Sequence, residues 1–212
     1  MRKPLENIKI FTERRSQIAK KLQGSALILS APLEYVRNGS VHHPFRQDSN
    51  LYYTTGFEEP DTVLLFRPGK TPESILFVRE KNLERETWDG FRFCPQCAKT
   101  DFQVDQTYPI EDFEKLAPQL LKGCESLYYR SYKNPEMDKK IETILLNLKT
   151  SQGRTGFGIL SVLDADEFMG EFRLKKGEAD IANLRRACEI SAEAHLDTMK
   201  YTKPGMSERE LH

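Results

Sequence analysis

Apolar residues recur through Ile10, Ile18 and Leu22, with Arg14 on the same helical spacing, and Gly24 ends that first segment. The short apolar run Ser25–Ser30 then predicts a buried strand, closed by Ala31 and Pro32. Two further runs, Thr62–Arg67 and Ser74–Val78, flank the turn Pro68–Pro72 and predict a hairpin. Between Pro44 and Phe57, Asp48 or Ser49 is placed to cap a short helix that Gly56 ends, with Leu51, Tyr52 and Tyr53 facing the sheet. Helices are expected over Ile110–Leu121 and Pro135–Leu148, strands over Ser126–Arg130 and Phe157–Leu160, and a short helix capped by Asp164. Strands alternating with helices predict an α/β fold, and the hairpin makes it a mixed β-sheet flanked by helices.

A boundary is expected at Lys175–Gly177, dividing a domain of residues 1–175 from a helical appendage of residues 176–212. The appendage begins with a long helix, Glu178 to Tyr201, striped by Ile181, Leu184, Cys188, Ala192, Leu196 and Met199. Lys203–Gly205 breaks it, and Ser207–Glu210 forms an S-x-x-E capping box with only Leu211 and His212 beyond. One helical turn has little stability alone. The pattern is therefore that of a chain whose next domain has only begun.

Composition narrows the function classes. Lys plus Arg and Asp plus Glu both number 32, so the net charge is zero, which argues against a nucleic-acid or anionic-membrane partner. The basic lean of the first 21 residues reads as the solvated face of a helix. No stretch approaches the ~20 apolar residues of a membrane span, and no signal-peptide core is present, so a cytoplasmic location is expected. The four cysteines read as ordinary reduced thiols.

Isolated motifs add little chemistry. Cys94-Pro-Gln-Cys97 alone suggests half a zinc site or a redox pair, but Cys124 and Cys188 are solitary and no preceding strand matches a redox fold, so incidental thiols are expected. Gly69-Lys70-Thr71 imitates a phosphate loop, yet Leu64 stands where the first glycine belongs. Asp164, Asp166 and Glu167 group three carboxylates at a helix start, where negative charge is favoured. The lone Trp88, between Glu86 and Asp89 and near Gly90, reads as part of an exposed turn.

The segment Pro44-Phe-Arg-Gln-Asp-Ser-Asn-Leu-Tyr-Tyr-Thr-Thr-Gly-Phe57, continuing through Glu58–Asp61, resembles the signature segment of the aminopeptidase P N-terminal domain. Four segments agree in order: Ser74–Val78 followed by Glu84–Gly90, Tyr108–Asp112, Phe172–Lys176 with Ile181–Ala187, and Lys203–Ser207. The resemblance implies a mixed-sheet N-terminal domain followed by a "pita-bread" metallopeptidase domain. That enzyme removes an N-terminal residue when proline comes second. Two divalent metal ions, usually manganese, are held by two Asp, one His and two Glu of the catalytic domain; none of these ligands has a counterpart in residues 1–212, so neither a metal nor a catalytic residue is expected here. The four histidines, 42, 43, 195 and 212, carry no ligand role.

The implied partners are peptides with proline in second position and further copies of the same chain, with the N-terminal domain supporting oligomerisation and narrowing a neighbour's active-site entrance. Trp88 aligns with a family tryptophan bordering the substrate, and Arg154 with a second such residue. Ser40 stands where the family has an acidic residue, and Cys94 and Cys97 replace small residues, which favours packing over metal binding. A prolidase, which shares the fold, and a non-catalytic scaffold module are the alternatives; the scaffold case usually carries long acidic tracts, which this sequence lacks.

Overall fold

A computed structural model describes residues 8–39, 41–153 and 158–211 of the chain. The first helix, α1 (Ile8–Lys21), buries Ile18, with Leu22 just beyond it, as expected, while Phe11 and Arg15 take the inward positions expected of Ile10 and Arg14. Arg14 instead lies over the Tyr53 ring at 4.0 Å. The chain continues through β1 (Ser25–Ser30), a small hairpin of β2 (Val36–Asn38) and β3 (Val41–His42), and α2 (Ser49–Thr55). Then come β4 (Val63–Phe66), β5 (Ser74–Val78), α3 (Leu83–Asp89), α4 (Pro95–Asp101) and β6 (Gln106–Pro109). A 3-10 turn over Ile110–Asp112 leads into α5 (Phe113–Leu120), followed by β7 (Ser126–Tyr129), α6 (Pro135–Gln152), β8 (Ser161–Asp164) and α7 (Ala165–Leu174). The helices α8 (Glu178–Tyr201) and α9 (Glu208–Leu211) end the described chain.

Six strands form one sheet in the order β6-β5-β4-β1-β7-β8. The hairpin pairs β4 and β5 antiparallel, β4 also runs against β1, and the remaining neighbours are parallel, so β4 alone opposes the rest. The fold is the expected mixed α/β sheet with helices on both faces. Period-two geometry explains why the central strands have no polar face. Leu27, Leu29, Leu64, Phe66, Leu76 and Val78 enter one core, with α1, α2, α4 and α7 residues. Their alternates, Ala26, Ile28, Val63, Leu65, Ile75 and Phe77, enter the other, with Phe113 of α5 and Ile141 of α6.

Several expectations are corrected. The last strand is Ser161–Asp164, whose register pairs Leu127 with Val162; Gly158–Leu160 is not strand, and Phe157 lies outside the described residues. Pairing to β7 outweighs the greater apolarity of the upstream segment. Edge strand β6 was not legible, since Gln106-Thr-Tyr-Pro109 has no apolar run; it exists because Ile75–Val78 of β5 offers a parallel partner. The Glu84–Gly90 turn is mostly helix, α3. In α2, Leu51, Thr54 and Thr55 are buried, whereas Tyr52 is exposed and Tyr53 only half-buried. Cys94 and Cys97 are joined as a disulfide; two free thiols had been expected. The free cysteines among the described residues are Cys124, buried, and Cys188, exposed.

By internal contacts the chain divides into two units, Met1–Phe172 and Arg173–His212. Within the second, α8 has no buried residue, and Ile181, Leu184, Leu196 and Met199 are all exposed. The Glu210 carboxylate of α9 accepts from both the backbone N–H and the hydroxyl of Ser207, which depresses its pKa.

One buried charge holds α1 to the rest of its core. The Arg15 guanidinium donates to the carbonyls of Thr54 (3.0 Å), Phe102 (3.3 Å) and Gln103 (2.7 Å). Burial lowers its pKa to about 10, so it stays charged at neutral pH. Substituting Arg15→Ala strands three inward carbonyls and is expected to cost about 3 kcal/mol. Urea unfolding measures this; a loss below about 0.5 kcal/mol, the range of an ordinary surface change, contradicts it.

Candidate functional site

All strands except β4 run the same way, so β1, β5, β6, β7 and β8 end at one edge of the sheet. In open α/β sheets this carboxyl edge is where ligands collect. Here a cleft of about 1540 Å³ opens outside it. Its walls come from residues following β5 (Arg79–Asn82), residues preceding β4 (Glu58–Asp61) and the signature residues Phe45–Gln47. Arg46, Arg79, Arg85 and Arg92 line it together with Glu34, Glu58, Glu80 and Glu111, a mixed lining suited to a zwitterionic or peptide-like ligand and not to a polyanion. The Arg79 Nε is buried with no hydrogen-bond partner among the described residues.

The cleft is flanked by α3. Asn82 caps this helix by accepting from the Arg85 N–H at 3.0 Å, and Glu84 and Glu86 occupy its first turn. Gly90 ends it at φ 83°, a conformation that favours glycine. Trp88 therefore sits on the last turn of a short helix and is 85% exposed. Burial of so large an aromatic against another surface would contribute favourably.

What holds α3 in place lies behind it. The Glu86 carboxylate accepts from the Arg92 N–H at 2.7 Å and lies 3.8 Å from the Lys81 ammonium. The buried Glu59 accepts from the Phe93 N–H at 2.9 Å, and its own carbonyl accepts from the Gln47 side chain and the Thr62 hydroxyl. The Phe93 ring, 6% exposed, packs with Phe57, Phe91 and Phe102 at centroid distances of 5.8, 5.0 and 5.1 Å. One residue, through its carboxylate and its backbone carbonyl, thus ties the signature segment, the entry to β4 and the root of the Trp88 segment together. Sequence reasoning missed Glu59; its only signal was the paired Glu58-Glu59 ahead of Pro60.

A second polar cluster was also missed. Arg130, after β7, donates to Asp48 at 2.7 Å and to Asp166 of α7, while Asn50 donates to Asp166 at 2.7 Å. Asp48 also caps α2 through the N–H groups of Asn50 and Leu51. The paired carboxylates hold the Arg130 pKa above its usual value, against the effect of burial. Because the guanidinium fills the space between them, this is an internal clamp. Asp164 caps α7 through the N–H groups of Asp166 and Glu167, as its placement suggested.

Of the two substrate-bordering residues expected, Trp88 lies on α3, whose Arg85 and C-terminal Gly90 line the cleft while Trp88 itself is not among the lining residues, and Arg154 lies outside the described residues, as does Ser40. Among the described residues, no three of His, Cys, Asp and Glu converge as a metal site. These residues do not fit a two-metal centre, and no hydrolytic step is derived from them.

The comparisons with known proteins follow this geometry. Residues 11–128 match the family model described as aminopeptidase P, N-terminal domain. The chain belongs to the aminopeptidase P family. It is 32% identical to the Xaa-Pro aminopeptidase of Haemophilus influenzae over 203 residues, covering 95% of this chain and 45% of that protein. The Escherichia coli Xaa-Pro aminopeptidase is likewise 32% identical, with 95% and 46% covered. Pseudomonas aeruginosa aminopeptidase PepP superposes with a TM-score of 0.91 at 32% identity, over 96% of this chain and 47% of that one. Zn-substituted Escherichia coli aminopeptidase P in complex with product gives 0.90 at 31% identity, again over 96% and 47%. The chain thus spans about half the length of the aminopeptidase P relatives it matches.

Phe93 is expected to be the anchor of the Trp88 segment. Phe93→Ala should cost about 3 kcal/mol in unfolding free energy and raise amide exchange over residues 83–92 more than over β4 or β5. Uniform exchange across all three segments would show that the ring is ordinary core and holds nothing in particular.

Proposed function

We propose that this chain acts as the N-terminal domain of a Xaa-Pro aminopeptidase, a metal-dependent hydrolase that removes the N-terminal residue preceding proline. Residues 1–175 form that domain, and residues 176–212 begin the metallopeptidase fold. The domain does not cleave the bond. It contributes contacts between copies and narrows the approach to the catalytic centre, with Trp88 and Arg154 bordering the peptide. The observation that carries this reading is Trp88: 85% exposed, on a helix capped at both ends, whose Arg85 and closing Gly90 line a cleft of mixed charge. The exposed apolar row of α8 supports a further packing partner in the whole enzyme.

In this reading the metal pair, manganese by family habit, belongs to the part of the relatives that this chain does not align with. When bound, such ions supply an activated water and Lewis-acid polarisation of the scissile carbonyl. The residues described here contribute binding and access. Xaa-Pro bonds are tertiary amides, so the substrate presents a puckered, apolar pyrrolidine ring whose C–H face can pack on an indole. A cytoplasmic location remains our reading, supported by the free thiols of Cys124 and Cys188 but not by the Cys94–Cys97 disulfide. Among the described residues, no helix is long and apolar enough to cross a membrane.

Two outcomes test this. The 212-residue chain, incubated with manganese, is expected to release no amino acid from a Xaa-Pro-Pro peptide; turnover that survives repurification and is abolished by a chelator would overturn the division of labour. In the full-length peptidase, Trp88→Ala is expected to lower kcat/KM about tenfold, roughly 1.4 kcal/mol of transition-state binding. The same change should move unfolding stability by less than about 0.5 kcal/mol. A stability loss of several kcal/mol with unchanged kcat/KM would make Trp88 a packing residue.

A further inference from the structure

Cys94 and Cys97 form a disulfide that nothing in the peptidase reading uses. We infer that this pair is a thiol–disulfide exchange site, a covalent acceptor for small thiols that opens by attack at Cys97.

The bond contributes little as a staple. It closes a ring of only four residues, the size at which a cross-link restricts the unfolded chain least. The first turn of α4 is also fixed without it. Pro95 starts the helix, the Ala98 N–H donates to the Cys94 carbonyl at 2.9 Å, and the Thr107 hydroxyl donates to the Pro95 carbonyl at 2.8 Å. The two Cα atoms, 5.1 Å apart, therefore keep their places whether or not the sulfurs are joined.

Access and leaving-group chemistry set the direction. Cys97 is exposed and Cys94 is half-buried, so a nucleophile in solution reaches the Cys97 sulfur. The Cys94 sulfur accepts the Cys97 backbone N–H at 3.1 Å, a bond that strengthens when that sulfur leaves as a thiolate. A thiolate RS⁻ attacks Cys97 Sγ: the RS–Sγ bond forms, the Sγ–Sγ bond breaks, and its electron pair stays on Cys94. A second RS⁻ attacks the R-bearing sulfur of the adduct, forming RS–SR and releasing the Cys97 thiolate. In sum, the protein disulfide gains two electrons and two RSH become RSSR; the small disulfide RSSR drives the reverse. Exposed disulfides are the exchangeable kind, while buried ones resist. An adduct at Cys97 would sit on the helix that follows Phe93, at the root of the Trp88 segment.

The experiment uses glutathione as the probe on the native 212-residue chain, with acid quench, alkylation and peptide mass spectrometry. Buried Cys124 reports unfolding, and exposed Cys188 serves as the always-reactive reference. The expected result is that Cys94 and Cys97 become alkylatable in millimolar glutathione while Cys124 does not, and that oxidised glutathione restores the bond. In oxidised glutathione, Cys94→Ser, which keeps a good helix cap, should carry a glutathione adduct at Cys97, formed as the Cys97 thiolate displaces one glutathione thiolate from the small disulfide. Cys97→Ser should carry at least tenfold less at Cys94. Resistance of the pair until Cys124 also reacts would overturn the inference, as would two thiols that stay free in oxidised glutathione. Equal adducts in the two variants would overturn the direction of attack.

Discussion

The central strands β1, β4 and β5 are apolar at nearly every position, so neither face of the sheet can meet water. Burying one such side chain is worth about 1.5–3 kcal/mol, and Leu27, Leu64, Leu65, Ile75, Leu76 and Phe77 are all at 0% exposure. Helices must therefore cover both faces. With the faces sealed, polar residues that do more than dissolve the protein are pushed to the strand ends, and the strand directions collect most of those ends at one edge.

At that edge the structure spends buried polar groups on positioning. Glu59 holds the backbone of Phe93, and Arg130 sits between Asp48 and Asp166. Arg15 plays a related part deeper in, taking three carbonyls from α2 and the α4–β6 connection. Buried polar groups are tolerated when their hydrogen bonds are made, and each of these ties segments far apart in sequence. The exposed Trp88 is possible because its segment is fastened from behind by Phe93 and Glu59, leaving the indole free for another surface.

The placement of α4 outside the sheet also bears on Cys94 and Cys97. A C-x-x-C in the middle of a core would be inert. Here it lies at the start of a short helix outside the sheet, with Cys97 exposed. The sequence spacing favoured two idle thiols over a metal site or a redox pair; the structure joins them as a disulfide.

What the sequence by itself determined is what local chemistry controls. The strands Ser25–Ser30 and Ser74–Val78 were legible because an apolar run must be buried. The turns at Gly24 and Gly56 were legible because positive φ favours glycine, and the caps at Asp48 and Asp164 because a short carboxylate satisfies the first amides of a helix. The aminopeptidase P signature was legible as a string of residue types. Tertiary structure decided the rest. β6 became a strand because β5 offers it a parallel partner, and β8 settled on Ser161–Asp164 because β7 fixes the register, although Phe157–Leu160 is more apolar. The inward face of α1 passed to Arg15 because three carbonyls brought from two distant segments await its guanidinium. Glu59 became a hub for the same reason: hydrogen bonds and contacts between residues far apart in the chain depend on where the whole sheet places them, and no local pattern encodes that.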